Sequence, residues 1–309
     1  MKRNIYLDLL RSIAIICVVL IHTFQFNNTS IPNVIFGQMI GIAVPLFLAL
    51  SGFLIYKKTI ENKEQYKEFV VQRLKRVYIP MLIFGLPYYA LMLKHGNPFL
   101  IETVKWFIGD NLIFYFVPLI MQCYLVYPLI RNSKHMIWIA IVFFYVWSIV
   151  INYCIPSDIL KSSLLLSGGI LPSGLSYFCI GMYCAKKECN HKLLFSLAFI
   201  GFCIEFVCRY KLGISFFRGT IASLFIMPFV WGCTSLVNKV TITKCVQFFT
   251  LLSRYSFFIY LLHFYLILYL PIPEEQWQLR CLACLSISFV IAWIIDKFLP
   301  KNFKFYLGI

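Results

Sequence analysis

The chain has 309 residues, of which 61% are hydrophobic and only 13% charged, and its mean hydropathy is +0.82. Soluble domains run at about 45–50% apolar and about 25% charged. A soluble fold of this length has no interior large enough for that much apolar surface, because surface area falls too slowly with size. The formal net charge of +16 sits in short stretches between long apolar runs. That placement argues for membrane topology rather than nucleic-acid binding, and it is compatible with an anionic cytosolic ligand.

A helix that crosses a bilayer needs about 20 mostly apolar residues. The sequence predicts about ten such helices, near 5–26, 34–56, 77–93, 112–130, 136–155, 170–185, 193–208, 217–237, 251–270 and 279–299. The expected fold is therefore an all-α polytopic membrane protein, a single membrane domain over 1–309 with no C-terminal soluble domain. The first apolar run follows Lys2 and Arg3 as a signal peptide would. It is long, holds Arg11 and His22, and lacks a small-residue cleavage site, so it reads as a retained helix. The polar stretch 57–76 reads as the longest loop, and 159–169 as a segment at the interface. With ten spans, twenty Lys and Arg fall on one side and seven on the other, which puts both termini in the cytoplasm.

Most of the twelve cysteines, such as Cys17, Cys123, Cys203 and Cys233, lie within apolar runs and read as small hydrophobes. The Cys281-x-x-Cys284 pair has no second pair to complete a metal site.

Ionisable groups inside a span are costly and mark candidate sites. The first helix carries Asp8, Arg11 and His22. Arg11 and His22 are eleven residues apart, which is close to three full turns, so they share one face about 16 Å apart along the axis. Asp8 lies one turn before Arg11, within reach of an ion pair. Arg11 as a snorkelling anchor and His22 as an interfacial histidine form the competing structural reading. His263 falls deep in the ninth span, where it needs a partner or a water-filled cavity. His95, His135 and His191 fall in loops. Glu205 is buried in the seventh span with no partner evident, and Asp296 ends the tenth. The 57–76 stretch leads into the third span with Tyr66, Phe69, Val70, Leu74 and Val77 at helical spacing. Arg73 and Arg76 project from it, suited either to a basic interfacial helix or to phosphate binding. Ser51-Gly52 is either a close-packing point between helices or part of a cavity wall.

Four phrases in order resemble the membrane-bound acyltransferase 3 family. They are YLDLLR followed by ten residues and His22; PLFLALSGFLI with Ser51, Gly52 and Phe53; RLKRVYIP with Arg73, Arg76 and Pro80; and YSFFIYLLH with Tyr255, Ser256, Tyr260 and His263. The fourth span departs from the family wording, reading FYFVPLIMQCYLVYPLI. The resemblance implies transfer of an acyl group, usually acetyl, from cytosolic acyl-CoA to a sugar hydroxyl of a cell-surface polysaccharide or its lipid-linked precursor, in a bacterial cell membrane. It implies His22 and His263 as catalytic groups, with His22 as general base or acyl carrier. Arg11, Arg73, Arg76 and Ser51 would bind acyl-CoA, and Asp8 and Tyr260 would orient the site. Acyl-CoA is then a substrate, no permanent cofactor or metal is expected, and nucleic acid is not a partner. The competing function is a transporter that exports a glycan without chemistry. Pro80, Pro87, Pro118, Pro128 and the Gly168-Gly169 pair would supply its broken helices. A scaffold without chemistry has no need of buried Arg and His on one stripe.

Overall fold

A computed structural model describes residues 4–25, 30–58, 60–111, 113–156, 163, 165–212, 220–240 and 247–309, and among these there is no strand. The helices are α1 (Ile5–Thr23), α2 (Ile31–Ile40), α3 (Ala43–Tyr56), α4 (Lys63–Arg73), α5 (Ile79–Lys94), α6 (Phe99–Ile108), α7 (Phe116–Ile130), α8 (Met136–Ile149), α9 (Leu171–Lys186), α10 (His191–Tyr210), α11 (Ala222–Ser235), α12 (Gln247–Tyr269), α13 (Trp277–Phe298) and α14 (Lys301–Tyr306). Three start on asparagine caps: Asn4, Asn62 and Asn190 accept from the backbone N–H of Leu7, Gln65 and Leu193.

Among the described residues, seven continuous helical segments are long and apolar enough to span a bilayer, and α7, α8 and α11 are shorter apolar helices. The seven divide by burial. The α1, α2–α3, α9 and α12 spans are 50–67% buried, whereas the α4–α5, α10 and α13 spans are 17–22% buried. The first four form the interior and the rest a partial outer layer. The outer layer turns apolar side chains outward, as with Phe199 and Ile200 of α10, Val142 and Val146 of α8, and Leu282 of α13. In water such a surface would be unstable, whereas against lipid tails it is the favourable arrangement.

Several segments differ from the sequence reading. The stretch 57–76 is mostly helix, not loop: α4 continues through a π-helical turn, Leu74–Tyr78, into α5. In that turn the N–H of Ile79 donates to Leu74 O, five residues back. Pro80 has no N–H and its ring crowds the carbonyl four residues earlier, which the wider turn relieves. Along the predicted apolar stripe Phe69 is buried, but Leu74 is exposed. The predicted interfacial segment 159–169 lies partly outside the described residues. Its end, Leu165–Gly169, is a π-helical turn that runs into α9 and lengthens that span. His191 is the first residue of α10 rather than a loop residue. Helix α6 had no sequence signal long enough to be read as a span. Its apolar face, with Phe99, Leu100 and Phe107, is exposed, while Glu102 is buried beside Lys105 at 3.5 Å. Gly109 ends it in the left-handed region. Glu205 has a partner, Arg209 one turn further on, at 2.7 Å.

The interior is tight where glycines face backbone. A Cβ on Gly52 would lie 2.0 Å from Phe178 O, and one on Gly181 would lie 1.8 Å from Ala49 O. Helices α3 and α9 therefore pack backbone to backbone through small residues. Gly52→Ala and Gly181→Ala are each expected to destabilise the fold by at least the ~1–3 kcal/mol usual for overpacking, read as a lower midpoint of thermal unfolding in detergent.

Not every cysteine is buried: Cys203 is exposed and Cys233 and Cys189 are half-buried. Cys189, in the turn between α9 and α10, has its pKa lowered to about 6 by a hydrogen bond from Cys184, with the Trp231 indole N–H and the Lys239 charge acting in the same direction against burial. The Trp231 N–H lies 3.3 Å from the Cys189 sulfur. Cys189 is thus more readily ionised than an ordinary thiol. From pH 7 to 8 its labelling by maleimide should change little, while an ordinary exposed thiol should label about tenfold faster.

Candidate active site

Helix α1 is fixed in the interior by polar contacts to α12. The Ser12 hydroxyl donates to Phe249 O at 2.6 Å, and the Ser253 hydroxyl donates to the buried Asp8 carboxylate at 3.0 Å. Neither Asp8 nor Arg11 is without a partner. This orientation sets Arg11 toward a cavity of about 440 Å³. Ser51 of α3, Arg73 and Arg76 of the α4–α5 span, and Arg254, Ser253, Ser256 and Tyr260 of α12 line the same cavity. No Asp or Glu side chain is among the described residues that line it. Four guanidinium groups around one cavity suit a ligand with several negative charges, since each can donate two parallel hydrogen bonds to a phosphate.

The arginines are held by rings as well as by charge. The Arg73 guanidinium lies over Phe69 and Tyr124, at 5.0 and 5.1 Å. Arg76 lies over Phe305 at 5.1 Å. Arg254 pairs with Asp296 at 2.9 Å, so part of its charge is met outside the cavity. Asp296 is more than a helix-end residue, because it also accepts from the Tyr255 hydroxyl at 2.8 Å and from Lys304. Ser51 and Gly52 divide the two roles open to them: Ser51 faces the cavity and Gly52 packs against α9.

Tyr260 forms the far wall of the cavity. Its hydroxyl donates to Ile113 O at 2.6 Å, and its ring meets Phe116 edge-on at 5.6 Å. One turn further along α12 is His263, whose ring is 6.0 Å from that of Tyr260. His22 of α1 lies beside it, with ring centroids 5.4 Å apart, and meets Phe264 edge-on at 5.8 Å. His263 is fully buried. Its Nδ1 is 2.7 Å from Tyr260 O and 3.2 Å from Ile259 O. A carbonyl only accepts, so in the neutral ring Nδ1 carries the proton and Nε2 is the acceptor. Nε2 is buried and has no hydrogen-bond partner among the described residues.

All eight residues singled out in the sequence belong to this region. Arg11, Ser51, Arg73, Arg76 and Tyr260 line the cavity, Asp8 is bonded to Ser253 of its wall, and His22 and His263 adjoin beyond Tyr260. Sequence reasoning missed Arg254, which it counted only as a topology charge, although Arg254 directly precedes the YSFFIYLLH phrase. It also missed Tyr124 and the closing segment with Phe305, which carry no spacing signal and reach the cavity only through the fold.

The chain matches the model of the acyltransferase domain family, acyltransferase 3, over residues 4–297. It therefore belongs to this family of membrane acyltransferases. Comparisons with curated proteins and with solved structures found no match.

In the neutral ring, His263 is expected to give the ¹⁵N spectrum of the Nδ1-protonated tautomer in selectively labelled protein. The Nε2-protonated pattern would contradict the geometry at Tyr260 O.

Proposed function

We propose that the protein transfers an acyl group, acetyl as the first candidate, from acyl-CoA to a hydroxyl of a sugar in a cell-surface glycan or its lipid-linked precursor. The observation that carries this reading is that four arginines line one cavity at one end of α1, while the His22 and His263 rings lie 5.4 Å apart beyond its Tyr260 wall. Acyl-CoA is a polyanion joined to a thioester by a long thin arm. Arg11, Arg73, Arg76 and Arg254 would hold its phosphates, with Ser51 alongside. The thioester would then lie near Tyr260 and the imidazole pair, about 16 Å along α1 from Arg11.

In the direct route His22 takes the proton of the sugar hydroxyl as its oxygen bonds to the thioester carbonyl carbon. The carbon–sulfur bond then breaks, and His22 returns the proton to the departing CoA sulfur. In the covalent route the His22 nitrogen first takes the acyl group and releases CoA, and the hydroxyl then attacks the acyl-imidazole. His263, held by its Nδ1 contact to Tyr260 O, would assist His22 in either route. Asp8 would fix α1 through Ser253.

Purified protein given acetyl-CoA and acceptor is expected to release free CoA in an acceptor-dependent manner. His22→Ala should lower that rate by about 10²–10⁴-fold, the usual contribution of general acid–base catalysis. A transporter would move glycan with no CoA release, and that result would replace the present reading. Arg11→Ala should weaken acyl-CoA binding by about tenfold or more, as expected for loss of a charge-assisted hydrogen bond of ~1.5–3 kcal/mol. Unchanged affinity, measured by calorimetry, would move the phosphate site elsewhere.

A further inference from the structure

A second cavity, of about 250 Å³, lies at the His22 end of α1, where Ile21 lines it. Ile21 is about 15 Å along the helix axis from Arg11. The two cavities stand back to back across α3 and α7. Phe47 faces the arginine cavity and its neighbour Leu48 the second one; Phe116 and Tyr115 divide in the same way.

Their chemistry is opposite. Among the described residues, no Asp, Glu, Lys, Arg or His lines the second cavity. Its polar groups are neutral: the hydroxyls of Tyr115, Tyr177, Ser148, Ser167 and Ser173 and the indole N–H of Trp147. The Trp147 N–H is buried and has no acceptor among the described residues, which costs about 1–3 kcal/mol. The wall is braced before any ligand arrives. Gln122 donates to Gly169 O and accepts from Leu171 N, both at 2.8 Å, and so pins the turn that supplies Ser167 and Gly168. The Ser173 hydroxyl donates to Gly168 O at 2.7 Å, which leaves its oxygen free to accept.

We propose that this cavity binds one ring of an electrically neutral sugar, with the ring's apolar face against Trp147 and Tyr177 and its hydroxyls on the serines and the indole N–H. An ionised carboxylate or phosphate buried here would meet no cation among the described lining residues, a cost neutral hydroxyls avoid. The volume is below the ~300–1,000 Å³ of drug-sized ligand sites, so one ring enters rather than an oligosaccharide. The proposal rests on the acyl-transfer reading only for the fate of the sugar hydroxyl. Binding of the ring stands independently.

The test uses full-length protein in nanodiscs without acyl-CoA, titrated with methyl glycosides of glucose, galactose and N-acetylglucosamine, with glucuronate and glucose 6-phosphate as charged counterparts. At least one neutral glycoside should raise the unfolding temperature, and the charged sugars should not. Trp147→Phe keeps the aromatic ring and removes the N–H, and Ser173→Ala removes a hydroxyl. Each should weaken glycoside binding by about tenfold and leave acyl-CoA affinity unchanged. The proposal is overturned if glucuronate binds as tightly as glucoside, if no neutral glycoside binds, or if decanol stabilises the protein where sugars do not. It is overturned as well if both variants bind like the parent. Sugar binding without CoA release would remove acyl transfer and keep the cavity's assignment. Acceptor-dependent CoA release with the same acceptor KM in both variants would do the reverse.

Discussion

Titratable groups cannot lie against hydrocarbon without partners or a cavity, and α1 carries three of them. The organisation of the protein follows from how they are accommodated. Asp8 is met by Ser253 of α12, and Ser12 on the same helix is met by Phe249 O. These contacts turn the Arg11 and His22 edge of α1 inward. Arg11 then faces a cavity shared with three other arginines, and His22 faces the imidazole of His263. With that edge turned toward lipid, neither the arginine cluster nor the imidazole pair would form.

The rest of the interior keeps this geometry from relaxing. Gly52 and Gly181 let α3 and α9 approach until backbone touches backbone, so α3 cannot rotate Ser51 away from the arginines without a clash. The π-helical turn at Leu74–Tyr78 absorbs Pro80 without breaking the long α4–α5 helix. It lies where Arg73 and Arg76 reach the cavity, in keeping with the tendency of such turns to occur at functional positions. Tyr260 joins the two chemical regions: its side chain closes the arginine cavity, and its backbone carbonyl fixes the tautomer of His263. The partition of α3 and α7 then separates a strongly cationic cavity from a neutral, aromatic one.

Much of this was legible in residue order. Hydropathy alone led to an all-helical membrane fold, because an apolar run of about 20 residues has few stable alternatives. The eleven-residue spacing of Arg11 and His22 placed both on one helix face, since helical periodicity is local. Segments with mixed signals were read less well. Residues 57–76 are polar enough to pass for a loop, yet most of them are the start of a long helix. Helix α6 is too short to register as a span and shows its amphipathic character only through its exposed apolar face. Glu205 seemed unpaired because the pairing residue, Arg209, was read as the beginning of a loop, whereas α10 runs on to Tyr210.

What the sequence determined by itself was of short range or additive: the apolar runs, the stripe on α1, and the four phrases that point to the family. What only the tertiary structure decided was which distant groups meet. His22 and His263, Arg11 and Arg254, and the paired walls of the two cavities come from helices far apart in the chain. Their apposition depends on helix rotation and close packing, which no local pattern encodes. A side chain's partners across a bundle are set by the summed fit of all the helices, and that sum exists only in the folded chain.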